Sequence, residues 1–225
     1  MRDRRFRIAL VLIAAAGHSF GQVQTKESQA AITPAAALAR LKEGNARFVS
    51  GTPKARDWSA KVIATAPGQY PFAAVLSCMD SRAPAEIILD QGIGDMFSLR
   101  SAGNVVDTDA LGGLEFATKV VGAKLVVVMG HTSCGAVKGA IDDVKLGNLT
   151  MLLQKIRPVV ATVNPAGTSS DAAYVDRVAE ANVRHTLKEI RQKSKIIREL
   201  ADSGKVGLAG AMYDVGTGKV TFLAD

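Results

Sequence analysis

The sequence predicts an α/β fold: a mostly parallel central sheet flanked by helices, entered through an N-terminal helical arm. Three observations predict it. Two short apolar runs, Phe72–Leu76 and Leu125–Met129, read as buried strands. Strand-like and helix-like stretches alternate along most of the chain. A final pair of strands, Val206–Tyr213 and Lys219–Leu223, reads as a closing hairpin around Gly216-Thr217-Gly218. The chain has 225 residues, suited to one domain with a full core, and 48% of them are hydrophobic, which argues against overall disorder.

The first 21 residues have a basic start, Arg2 to Arg7, followed by the apolar run Ile8–Ala16. That run is too short to cross a bilayer as a stable helix, but it fits the apolar region of a secretory signal peptide. Ser19-Phe20-Gly21 places small residues correctly for a cut before Gln22. An uncleaved anchor or a mis-assigned start is the alternative. Arg4-Arg5 suggests twin-arginine export, although the flanking residues fit that pattern poorly. The expected location is therefore the periplasm or the cell exterior. Residues 22–32, polar and small, are expected to form a linker, and residues 33–225 the folded domain.

Thr33-Pro34 reads as an N-cap followed by proline in the first turn, and Leu38, Leu41, Asn45 and Phe48 recur at helical spacing as far as Gly51. The first core strand ends in Cys78-Met79-Asp80-Ser81-Arg82. Pro84 starts a short helix, Ala85 to Leu89; Gly92–Asp95 is a turn and Met96–Leu99 a second strand. Gly92-x-Gly94 is too short for a dinucleotide fingerprint. Leu111–Val121 reads as a helix despite Gly112-Gly113. The strand Lys124–Met129 leads into His131-Thr132-Ser133-Cys134. Cys134–Val137 opens the next helix, whose N-terminus favours a thiolate at Cys134. Met151–Val160 is helical and Asn164–Ser170 a loop. A long helix follows from Asp171 to about Lys193, with Val175, Val178, Val183, Leu187 and Ile190 inward, and a shorter one runs to Asp202.

Two strand ends thus deliver Cys78, His131 and Cys134 to one edge of the sheet. These are three good zinc ligands, with a fourth position for water or for Asp80. The chain contains two cysteines, so a lone disulfide or two buried thiols is the plainer alternative. It leaves His131, Asp80 and Arg82 without a reason. Asp80 can accept the proton of a metal-held water, and Arg82 can hold that carboxylate through a bidentate pair and keep it off the metal. A closed structural zinc with Asp80 as fourth ligand competes with this reading. The formal net charge is +7, of which four arginines and one aspartate in the first 21 residues account for three charges. No basic stripe is interleaved with aromatics, which argues against nucleic acid as a partner.

The pair of motifs, Cys-x-Asp-x-Arg and His-x-x-Cys, resembles the β-class carbonic anhydrases, and the likeness runs from about Pro34 to Leu223. The resemblance implies one zinc ion per chain, catalytic roles for Asp80 and Arg82, and reversible hydration of carbon dioxide to bicarbonate and a proton. It implies that Arg40–Phe48 belongs to an arm packed on a partner subunit, hence a homodimer or larger assembly. Gln69, nine residues before Cys78, matches a substrate-binding glutamine supplied across the dimer. Phe97 and Phe116 match walls of the carbon dioxide pocket, and Gly103 and Asn104 match the loop under the metal. Ala83 replaces a common valine, and Val75 stands where one subset has tryptophan. That subset shuts down in acid through a bicarbonate pocket of tryptophan, arginine and tyrosine. Arg100 and Tyr213 match two of these, but Val75 supplies neither indole donor nor aromatic wall. The expectation is that the pocket is absent and Asp80 stays on Arg82 at neutral pH. His18 and His185 match nothing catalytic. A carbon disulfide or carbonyl sulfide hydrolase on the same fold, and a non-catalytic zinc-stabilised scaffold, are the rival readings.

Overall fold

The computed structural model describes residues 23–164 and 166–224; the proposed leader, its cut before Gln22, and His18 lie outside the described residues. The strands are β1 (Ala73–Ser77), β2 (Met96–Arg100), β3 (Leu125–His131), β4 (Gly207–Tyr213) and β5 (Val220–Phe222). They form one sheet in the order β2-β1-β3-β4-β5. The first four are parallel and β5 runs antiparallel to β4, as the closing hairpin requires. In chain order the helices are α1 (Lys26–Ala31), α2 (Pro34–Val49), α3 (Trp58–Thr65), α4 (Ala85–Ile88), α5 (Thr108–Glu115), α6 (Gly135–Ile141), α7 (Gly147–Gln154), α8 (Arg157–Val163), α9 (Ala172–Lys193) and α10 (Lys195–Asp202).

Strands β1 and β3 are buried at every position. Each has helices on both faces, so no polar face is needed and both read as unbroken apolar runs. Alternate residues divide between the layers. Val75, Leu125, Val127 and Met129 pack with Leu41, Ile88 and Leu89 on the α2 and α4 side. Ala74, Leu76, Val126 and Val128 pack with Val183, Ile190, Ile197 and Leu114 on the opposite side. Helix α9 lies hard against the sheet because Gly130 and Gly210 present no side chain. A Cβ at Gly130 would stand 2.7 Å from Val183 Cγ2, and one at Gly210 would stand 3.0 Å from Val183 Cγ1.

The register gathers the strand ends. Ser77 is level with Arg100 on one side and Met129 on the other, and His131 is level with Tyr213. The strand order reverses between β1 and β3, where α/β sheets place their ligands.

Four stretches differ from the sequence reading. The expected linker contains α1, held by a capping box between Thr25 and Ser28 and by buried Gln29, whose Nε2 donates to Pro71 O at 2.7 Å. Six residues are too few to show a helical period. Helix α3 was not anticipated because its apolar residues Val62 and Ile63 are exposed while Lys61 is buried, facing Asp95 at 3.8 Å. The single helix expected over Met151–Val160 is two, α7 and α8, because Pro158 cannot donate to the preceding turn. Helix α5 starts earlier, capped by Asp107, and widens into a π turn at Phe116–Val120, where Thr118 Oγ1 donates to the Leu114 carbonyl at 2.8 Å.

Helix α2 crosses the end of α4 so closely that a Cβ on Gly44 would lie 1.8 Å from Leu89 O. Gly44→Ala should therefore destabilise the protein by about 3 kcal/mol, the upper range for overpacking. Helix propensity alone would instead stabilise it by about 1 kcal/mol. The sign of the shift in a denaturant titration decides between them.

Candidate metal centre

Cys78 follows the last residue of β1, His131 ends β3, and Cys134 caps α6. All three are buried, and their ligand atoms lie within 4.8 Å of one another. Among the described residues this is the group of side chains that could hold a metal ion. His131 Nδ1 lies 2.9 Å from Thr132 O, which accepts only from a protonated nitrogen. Nε2 is buried and without a hydrogen-bond partner, and in the neutral ring its lone pair would be free to ligate. A buried unpaired nitrogen is costly unless something takes it, and it faces two sulfurs. Two thiolates and an imidazole form a zinc-type donor set with one position open.

Two thiols this close do not both ionise without a cation. The Cys134 thiol donates to Cys78 and pulls the Cys78 pKa well below the thiol range despite burial, helped by His131 and by the Gly103 N–H at 3.3 Å. The same contact, with burial, drives the Cys134 thiol up, against the N–H groups of Ala136 and Val137 at the start of α6. The helix start thus still favours negative charge at Cys134, opposed there by burial and by the neighbouring sulfur. The pair shares one negative charge, and a metal is needed to ionise both.

Asp80 stands at the rim. Its Oδ1 and Oδ2 accept from Arg82 Nε and Nη2 at 2.9 and 2.8 Å, and Oδ1 also accepts the Arg82 backbone N–H at 2.9 Å. These bonds, led by the guanidinium, hold the Asp80 carboxyl well below the usual carboxylate range. Asp80 Oδ2 lies 3.8 Å from His131 Nε2. Arg100, matched in sequence to a bicarbonate pocket, instead grips the ligand loop: Nε donates to Cys78 O at 3.2 Å and Nη2 to Asp80 O at 2.6 Å.

Residues 73–220 match the carbonic anhydrase family model. The chain is 40% identical over 190 residues to carbonic anhydrase 2 of Mycobacterium tuberculosis, covering 83% of this chain and 91% of that one. The chain belongs to the β-carbonic anhydrase family. It is also 30% identical to the carbonic anhydrase of Pseudomonas aeruginosa, over 80% of this chain and 85% of that one. Among solved structures it is similar to the β-carbonic anhydrase CafA of Aspergillus fumigatus, with a TM-score of 0.68 and 31% identity, covering 85% of this chain and 91% of that one. A tetrameric β-carbonic anhydrase from Sordaria macrospora matches with a TM-score of 0.65 at 27% identity, covering 73% and 86% of the two chains.

Within this family member, the metal centre draws together Cys78, Asp80, Arg82, Arg100, Gly103, His131, Cys134 and the end of β4 at Tyr213. Gly103 has φ +65° and donates its N–H to Cys78 Sγ at 3.3 Å, and a Cβ there would meet Ile156 Cδ1 at 2.6 Å, so glycine suits the position. Asn104 is buried beside it, at φ +46°. Phe97 and Phe116 meet edge to face, with centroids 6.0 Å apart. Phe97 is level with Ala74, four residues below Cys78 on the sheet, and Phe116 is half exposed. Gln69 is not brought to the site: it precedes β1 at the far end of the strand and is exposed. Val75 is fully buried in the core. Sequence reasoning missed Asp176 and Asn182 of α9, which bond Ser133 N and Gly103 O at 2.8 Å each. Polar residues on a long helix carry no mark of which loop they will meet.

The ligand assignment has a direct check. The parent should retain one divalent metal ion per chain after dialysis, and Cys78→Ser and Cys134→Ser should each lose it by elemental analysis. Full occupancy in either variant would remove that cysteine from the set.

Proposed function

We propose that the chain binds one zinc ion through Cys78, His131 and Cys134 and catalyses the reversible hydration of carbon dioxide to bicarbonate and a proton. The observation that carries this reading is the buried, unpartnered Nε2 of His131, facing two sulfurs with the Asp80 carboxylate 3.8 Å away. A zinc ion held there supplies a water of lowered pKa as nucleophile. The chain's own residues do the rest. Asp80, ionised and acceptor-only, orients the attacking water and takes its proton. Arg82 keeps that carboxylate from turning inward, and with its side chain 52% exposed it opens the proton's route to solvent. By resemblance Phe97 and Phe116 form an apolar wall for a small uncharged substrate, which, like Gln69, they would supply to the metal centre of a second copy.

The protein is further proposed to work as a homodimer or larger assembly. Support comes from Gln69: the five residues of β1 put roughly 17 Å of strand between it and Cys78. It can reach a metal centre only from a second copy. Export to the periplasm or cell exterior is proposed from the basic and apolar start of the sequence. Sedimentation, and mass analysis of the mature N-terminus in cell fractions, test these two.

Stopped-flow carbon dioxide hydration by metal-analysed protein tests the activity. A zinc-loaded protein without hydration at any pH would leave the scaffold reading, and turnover of carbonyl sulfide or carbon disulfide alone would redirect the substrate. Asp80→Ala should retain zinc and lose about ten-fold or more in rate, the usual scale for a general base. Parental speed would remove Asp80 from the chemistry.

The pH profile is expected to be simple. Because the Asp80 pKa is depressed, its charge and its bond to Arg82 persist through the neutral range and are lost only in strong acid. Val75 offers no regulatory aromatic wall. The rate should therefore fall with pH as one protonation, that of the nucleophile, and a steep multi-proton loss near neutrality would contradict this.

A further inference from the structure

Helix α9 reaches the metal centre with two side chains outside both ligand motifs. Asp176 Oδ1 accepts the N–H of Ser133 at 2.8 Å. Ser133 is one of two residues between His131 and Cys134, and it holds φ +56°, a left-handed conformation that a serine adopts only under constraint. If Ser133 relaxed, Cys134 would swing away from His131. Asn182, 1% exposed, donates from Nδ2 to Gly103 O at 2.8 Å. Gly103 in turn donates its N–H to Cys78 Sγ. One helix therefore braces the Cys134 loop directly and the Cys78 sulfur through the Gly103 turn, and it cannot retreat, since Val183, next to Asn182, is wedged over Gly130 and Gly210.

We propose that Asp176 and Asn182 are positioning residues that hold the two sulfur ligands at the spacing a metal ion requires, with Asn182 also keeping an N–H donor on the Cys78 sulfur. This rests on the zinc reading above. Residues that orient ligands govern metal affinity almost as strongly as the ligands themselves. A carboxylate suits the Ser133 N–H because the bond is charge-assisted and offsets the backbone strain. The amide suits Gly103 because it donates to a carbonyl without adding charge beside the thiolates.

The test is zinc affinity, read by competition with a chelator of known affinity. Asp176→Ala and Asn182→Leu should each bind zinc about ten- to a hundred-fold more weakly. Asp176→Asn keeps an acceptor but loses the charge, and should bind between the parent and Asp176→Ala. In cobalt-substituted protein, Asn182→Leu should move the sulfur-to-cobalt charge-transfer band to lower energy, because a thiolate stripped of its N–H donor gives up electron density more readily. A role in folding alone would not move that band, and melting of the variants without added metal monitors folding separately. Parental affinities with an unmoved band would overturn the proposal. So would Asp176→Asn falling as far as Asp176→Ala. If Asn182→Leu does not fold, the two variants at half-buried Asp176 still decide. A parent that takes up no zinc would overturn the metal reading and this proposal with it.

Discussion

The parallel register of β1 against β3 is the constraint on which the site depends. Ser77 pairs with Met129, and β3 continues for two more residues to His131. Cys78 and His131 therefore leave neighbouring strands within a residue or two of the same level. A slip of one residue would turn Leu76 and Val128 to the wrong layer and exchange the faces of every core side chain. Holding the register thus holds the ligand spacing. The cost of misplacing a ligand is borne by the entire core, not by the site alone.

The electrostatics follow from that gathering. Two sulfurs, an imidazole and a carboxylate meet where little water enters, and the carboxylate is drawn outward by Arg82 while the sulfurs stay inside. Two thiolates cancel the charge of a divalent ion, so the ion activates water less than one held by neutral ligands. A carboxylate that stays ionised beside it makes up part of the difference. The Gly103 N–H on Cys78 works in the same direction, since it withdraws density from the sulfur.

The parts of this arrangement legible in the sequence were those where chemistry is local. The strands of the core, the capped start of α2, the long helix with Val175, Val178, Val183 and Ile190 buried, and each of the two motifs that carry Cys78 and His131 with Cys134 are written within short windows, and the fold brings the two motifs together. What was illegible depends on distant partners. Helix α3 buries a lysine and exposes isoleucine, so its period points the wrong way. Helix α1 is too short for any period. That Cys134 sits beside Cys78 as well as at the start of α6 depends on the fold, and no local pattern marks it. Arg100 matched an anion pocket by position, yet its guanidinium serves the backbone of the ligand loop.

That last contact bears on what keeps Asp80 turned outward. Arg82 is half exposed, and an exposed ion pair contributes only about 0–1 kcal/mol. The guanidinium therefore cannot be the whole lock. Two backbone bonds add to it: the Arg82 N–H on Asp80 Oδ1 at 2.9 Å, and Arg100 on Asp80 O at 2.6 Å. The first ties the carboxylate to its own turn, and the second fixes that turn to the end of β2. For Asp80 to reach the metal, the turn itself would have to change, not merely one side chain. With Val75 buried in the core, nothing at that position pulls Arg100 elsewhere. The open arrangement is thus built into the backbone of the ligand loop, and the ion pair refines an orientation that the loop already imposes.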